Sequence, residues 1–96
     1  MTRIKRIVKL TIEVEKRELF ISLYLERAKK IASFEGCISV DLLEDRYDKA
    51  VFFTVSNWQS EEQLNAYRDS DFFETTWKKV KPLFAEKALA WTLDTL

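Results

Sequence analysis

Three consecutive stretches decide how this chain folds: Cys37-Ile38-Ser39-Val40-Asp41-Leu42-Leu43-Glu44, then Asp45-Arg46-Tyr47-Asp48-Lys49, then Ala50-Val51-Phe52-Phe53-Thr54-Val55-Ser56-Asn57-Trp58. The first alternates, with Ile38, Val40 and Leu42 on one face. The third also alternates: Val51, Phe53 and Val55 share one face, and Phe52, Thr54, Ser56 and Trp58 share the other. Two runs of period two joined by a short polar turn predict a β-hairpin. Upstream, Lys5 to Val14 alternates in the same way. Val8, Leu10, Ile12 and Val14 point in one direction, and Lys5, Ile7, Lys9, Thr11 and Glu13 point in the other, so a strand is expected here too. Between these strands the period changes. Leu19, Phe20, Leu23, Tyr24, Ala28 and Ile31 recur at three and four within Lys16 to Phe34, the signature of an amphipathic helix. Lys29 and Lys30 near its end, with Gly36 just beyond, supply its stop.

Downstream of the hairpin, Ser60-Glu61-Glu62-Gln63 is a capping box, a hydroxyl followed three residues later by Gln. The helix it opens turns Leu64 and Tyr67 inward. Ser70 with Asp71 reads as a second N-cap, and Phe72, Phe73, Thr76, Trp77 and Val80 form the inner side of the helix that follows. Pro82 marks the end or a kink of that helix. Ala88 to Leu96 alternates again, with Leu89, Trp91 and Leu93 on one side. The order β-α-β-β-α-α-β predicts an α+β, ferredoxin-like domain over residues 1–96, a four-stranded antiparallel sheet with helices on one side. The sheet face away from the helices should be polar in a monomer. By alternation Ile7, Cys37, Leu43, Phe52 and Thr54 are expected on it. Leaving such apolar groups wet costs about 2 kcal/mol each, so a second copy of the chain, sheet against sheet, is the expected partner.

Composition excludes several classes. Sixteen basic and sixteen acidic side chains cancel among the 96 residues, which argues against bulk-charge binding to nucleic acid or an anionic membrane. The chain contains no histidine, which removes the commonest general base and zinc ligand and every triad built on imidazole. A lone cysteine, Cys37, cannot close a disulfide, and it reads as a half-buried small residue. No apolar run is long enough to span a membrane, and the start, Met1-Thr2-Arg3-Ile4-Lys5-Arg6, carries no apolar signal core. A cytoplasmic protein is expected. Glu44, Asp45 and Asp48 lack a calcium-loop spacing and are interleaved with Arg46 and Lys49, so a solvated hairpin tip is expected and no metal site. The β-α-β-β-α-β order is shared with RNA-binding RRM domains, but the third strand lacks their glycine and basic positions, so no nucleic-acid partner is expected.

The aromatic residues point elsewhere. Asn57 and Trp58 end the third strand, Tyr67 lies on the next helix, and Phe73 and Trp77 lie on the one after it. Two readings are open for them: an apolar cleft between helices and sheet with an amide and a phenol inside, the usual make-up of a small-molecule site, or the core of the domain.

The run Trp58-Gln59-Ser60-Glu61-Glu62-Gln63-Leu64, with Tyr67-Arg68-Asp69-Ser70-Asp71-Phe72-Phe73, resembles the signature of the antibiotic biosynthesis monooxygenase (ABM) family. Phe34-Glu35-Gly36-Cys37 resembles the family's Phe-Pro-Gly-Cys bend, with Glu35 in place of proline. The resemblance implies a dimeric α/β barrel that oxidises a quinol or polycyclic phenol with O₂ and needs no cofactor. It also implies a haem-degrading branch, but that branch's strand-1 Asn falls near Val8, its Trp at Tyr67 and its His at Trp77, and none of the three matches. The quinol-oxidising branch often carries His where this chain has Tyr67 or Asp71. On this footing the candidate catalytic residues are Asn57 and Tyr67, as donors to a substrate oxyanion, and Asp71, as a base if buried. Arg6, Trp58, Phe73 and Trp77 are the candidate substrate-binding residues. The alternative expectation is a non-catalytic homodimer of the same fold that binds a small aromatic ligand.

Overall fold

A computed structural model describes residues 3–96; Met1 and Thr2 lie outside the described residues. Strand β1 (Ile4–Thr11) leads into helix α1 (Arg17–Ala32). The hairpin of β2 (Cys37–Glu44) and β3 (Val51–Trp58) follows. Helices α2 (Glu61–Arg68) and α3 (Asp71–Val80) come next, and β4 (Leu89–Asp94) ends the fold. The four strands form one sheet in the order β2-β3-β1-β4, antiparallel throughout. This is the ferredoxin-like plan that the alternation and the caps imply. Among the described residues, no helix is long and apolar enough to cross a membrane.

Local chemistry sets the element boundaries. Ser60 Oγ accepts a hydrogen bond from the Gln63 backbone N–H at 3.2 Å, and Ser70 Oγ accepts one from that of Phe73 at 3.1 Å. Both satisfy donors that a helix start leaves unpaired. In the hairpin turn, Asp45 Oδ1 accepts from the backbone of Tyr47 and Asp48, and Asp48 Oδ1 accepts from that of Ala50. Glu44 pairs with Arg17 at 2.8 Å. The acidic turn thus spends its carboxylates on its own backbone and on α1. Val14 departs from the expected strand. The chain leaves the sheet after Thr11, Val14–Lys16 form a 3₁₀ turn, and Val14 is exposed.

The register fixes which residues face the helices. Opposed residues share a face, so Ile4, Arg6, Val8 and Leu10 lie on the side of Phe52, Thr54, Ser56 and Trp58, with Ala90 and Thr92 beyond. Phe20, Tyr24 and Ile31 of α1 and Leu64 of α2 close over this side, and Trp58, Phe20 and Phe52 are almost wholly buried. The expectation that Phe52, Thr54 and Cys37 lie on the open face is therefore corrected. Alternation pairs residues by face, but it does not say which face the helices cover. A bulge shifts β2 as well. Cys37 opposes Trp58 and Ser39 opposes Asn57, so Ile38 is the extra residue and no longer shares a face with Val40 and Leu42. The open face carries Ile7, Leu43, Phe53, Val55, Leu89, Trp91 and Leu93 among Lys5, Lys9, Ser39, Asp41 and Asn57. Trp91 is 43% exposed and Leu93 44%. The face is thus as apolar as expected: Ile7 and Leu43 stand on it as expected, and Phe53, Val55, Leu89, Trp91 and Leu93 take the place of Cys37, Phe52 and Thr54.

Gly36 joins α1 to β2 with φ of +87°, a region where an L side chain costs about 1–2 kcal/mol. A Cβ there would also lie 2.6 Å from Gln63 Cβ. Replacing Gly36 by Ala should destabilise the fold by about 1–3 kcal/mol, read as a lower urea midpoint with an unchanged m-value.

Candidate functional site

Between the helices and the covered side of the sheet lies a cavity of about 260 Å³. Its origin is visible in the strand residues. At one end Leu10 and Phe52 fill the space beneath α1, and at the other Ile4 and Trp58 fill it beneath α2. Between them the same face carries the smaller Val8, Thr54, Ser56 and Ala90, together with Arg6. A well-packed interior would fill such a gap. Here it stays open.

The helices give the cavity an aromatic wall. Tyr67 stacks on Trp58 at 5.2 Å between centroids, and Phe73 meets Tyr67 edge-on at 5.2 Å. Phe73 then stacks on Trp77 at 5.9 Å. Each such contact is worth roughly 0.5–1.5 kcal/mol beyond burial, so the wall is held as one unit. Ser70 sets its corner: Oγ donates to the Tyr67 carbonyl at 2.6 Å while capping Phe73. Tyr67, Phe73 and Trp77 all line the cavity, while Trp58 lies buried behind Tyr67 and does not. Trp58 Nε1 donates to Ser56 Oγ at 2.9 Å, which ties its indole to the cavity floor.

Polar groups are few and placed at the tips. Tyr24 and Tyr67 bring hydroxyls to the cavity from α1 and α2, and Thr54, Ser56 and Thr76 add three more. Burial is the main cause holding both phenols protonated well above the usual tyrosine range; at Tyr24 the nearby Tyr67 adds to it and the Thr54 hydroxyl opposes it. Arg6 projects from β1 into the cavity and its Nη1 donates to Thr92 Oγ1 at 2.7 Å. The thiol of Cys37 is pushed up by burial and points to the Ser39 carbonyl, an arrangement that favours an unreactive thiol. Among the described residues, no group of three metal-ligating side chains converges.

The expected site is thus brought together in part. Arg6, Tyr67, Phe73 and Trp77 meet around one cavity. Asn57 does not join them. It lies one residue from Trp58, so its side chain is on the opposite face of the sheet, where Nδ2 donates to Ser39 Oγ at 2.8 Å. Asp71 is exposed in the first turn of α3, outside the cavity lining, in no position to act as a buried base. Two lining residues went unread in the sequence. Tyr24 was expected only as part of the inner stripe of α1, yet its length carries the hydroxyl into the cavity. Arg68 follows Tyr67 at the end of α2, where a cation ordinarily reads as a partner for the helix dipole.

The fold and cavity define a class: a small ferredoxin-like α+β domain with an aromatic-walled cavity under its helices. The model of the family described as antibiotic biosynthesis monooxygenase matches residues 3–79, and the chain belongs to that family. No curated protein matches it in sequence. Among solved structures, a conserved protein from Methanosarcina mazei Go1 superposes with a TM-score of 0.94 at 18% identity, covering 100% of this chain and 95% of that one. A protein from Caulobacter crescentus CB15, provisionally named an antibiotic biosynthesis monooxygenase, gives 0.93 at 21% identity, covering 99% and 91%. A protein of unknown function from Bacteroides thetaiotaomicron, described as a possible oxidoreductase, gives 0.89 at 22%, covering 98% of each. At such identities the likeness establishes the fold.

In a Tyr47→Phe variant the remaining tyrosines are Tyr24 and Tyr67. Their absorbance titration should show almost no tyrosinate near pH ~10, where free tyrosine ionises. The unfolded chain ionises first, so stability falls as pH rises past that point, and the tyrosinate signal should appear together with loss of the circular dichroism of the fold.

Proposed function

We propose that this protein is a cofactor-free monooxygenase that oxidises a quinol or polycyclic phenol with O₂, working as a cytoplasmic homodimer. Family membership supports the monooxygenase role, and the observation that carries the rest is the cavity itself. Phe73 and Trp77 offer flat faces to a ring, Tyr67 offers a donor to an oxygen on it, and Arg6 offers a positive charge to an anionic ligand.

The chemistry asks the protein for an electron-rich anion. A phenol of pKa ~10 costs roughly 4 kcal/mol to ionise at pH 7. Tyr67, kept as a phenol by its burial, offsets part of that cost by donating a hydrogen bond to the phenolate oxygen. No carboxylate lines the cavity and the chain has no imidazole, so the substrate's proton leaves to water. The anion passes an electron to O₂, and the two radicals combine at ring carbon. For an anthrone-like CH₂ the peroxide then loses water: one oxygen stays as C=O, the other leaves in H₂O, and the substrate supplies all the electrons. The aromatic wall keeps bulk water from the radical pair.

The second reading, a non-catalytic aromatic-binding domain of the same fold, is favoured by the same lack of a base in the cavity. Oxygen uptake by metal-free protein with a panel of quinols and anthrone-like phenols separates the two. The enzyme reading expects uptake above the spontaneous rate, with kcat/KM rising about tenfold per pH unit below the substrate's pKa. Tyr67→Phe should lower kcat about 100-fold. Tight binding with no uptake from any member of the panel would leave only the second reading.

The homodimer rests on the open sheet face, where Leu43, Leu89, Trp91 and Leu93 lie among the exposed apolar residues. Sedimentation at micromolar concentration should give twice the chain mass, and Trp91→Glu should give the single chain with the helical circular dichroism retained.

A further inference from the structure

A purely apolar ligand would leave one feature of the cavity without a purpose. Arg6 enters from the middle of β1 and Arg68 from the last turn of α2, and both line the same space. Among the described residues neither has a carboxylate within 4.0 Å. The chain as a whole is neutral, so two cations left together without an acid are a local arrangement. Burial lowers the proton affinity of Arg6, and the charge of Arg68 lowers it further. In the empty protein this proximity is unfavourable, and a bound anion reverses its sign.

The position of the pair says where that anion goes. Arg68, Phe73 and Trp77 border an open depression on the outer surface as well as the cavity, so they stand at its mouth. The interior beyond them is aromatic and aliphatic. A ligand with a flat apolar body and one anionic end satisfies both halves. The planar fork of a guanidinium matches a carboxylate.

We infer that the ligand of this pocket is a compact fused-ring aromatic acid whose carboxylate, remote from the ring inside, is held at the mouth between Arg6 and Arg68. The inference deepens the proposed function and rests on its claim that the cavity takes an aromatic ligand, while standing apart from whether that ligand is oxidised.

The test is fluorescence titration of the purified full chain with 2-naphthoate and with 2-naphthamide, which differ in charge and hardly in shape. The acid should bind at least about tenfold more tightly than the amide, and the advantage should shrink at high salt. Arg68→Gln, at an exposed helix end, should remove most of that advantage by weakening the acid far more than the amide. Arg6→Gln should also narrow the gap between acid and amide, and Arg68→Glu, which gives Arg6 an internal partner, should abolish it. Equal affinity for acid and amide, or an acid preference that survives Arg68→Gln, overturns the inference alone. Displacement of naphthoate by inorganic phosphate at lower concentration than by acetate overturns the carboxylate assignment. Binding of neither aromatic overturns both the inference and the aromatic-ligand part of the proposed function.

Discussion

The hydroxyl of Ser70 is the constraint on which the site depends. It accepts from the Phe73 N–H at 3.1 Å and donates to the Tyr67 carbonyl at 2.6 Å, so one oxygen closes the end of α2 and opens α3. The angle between the two short helices follows from it. With that angle set, two helices too short to form a core of their own bring Tyr67, Phe73 and Trp77 into one continuous wall. Trp58 supplies the footing. Its indole is fully buried, anchored to Ser56 at 2.9 Å, and stacked beneath Tyr67. Each helix is too short to be stable alone, so both owe their persistence to this aromatic seam and to their serine caps.

The cavity follows from what the sheet withholds. Large side chains at both ends of the covered face carry the hydrophobic stabilisation, while Thr54, Ser56 and Ala90 in the middle decline to fill it. Replacing that middle by leucines would give a tighter domain with no cavity. Core packing and cavity therefore occupy separate zones of the same face, which lets a small domain keep both.

Most of the architecture was legible because it depends on period and on caps. The alternation of β1, β2 and β3, the serines at 60 and 70, and the glycine stop at 36 each report a local rule, and the elements formed there, with β1 ending at Thr11 short of the expected Val14. What the sequence hid was parity. Asn57 and Trp58 are neighbours in the chain and look like partners in a site, yet a strand sends successive side chains to opposite faces, and only Trp58 turns toward the helices. The same ambiguity put Phe52 and Thr54 on the wrong side. Ile38 added a bulge that no spacing announces. Arg68 was passed over for a different reason: a cation at the end of a helix already has an explanation in the helix dipole, and only the enclosing geometry reveals Arg6 beside it.

The two faces of β1 show how much one residue separates. Arg6 enters the cavity; Ile7, its neighbour, lies on the open apolar face with Val55 and Trp91. On the proposed reading the first meets the ligand and the second meets the partner chain. On that reading a one-residue slip of β1 would exchange a half-buried guanidinium for an isoleucine and place a charge in the dimer interface. Register is then held from both sides at once: by the Arg6–Thr92 hydrogen bond at 2.7 Å on the cavity side, and, in the proposed homodimer, by apolar packing on the other. A fold that uses both sides of one sheet has little freedom to drift. This offers a physical account of how chains sharing about a fifth of their residues keep the same backbone.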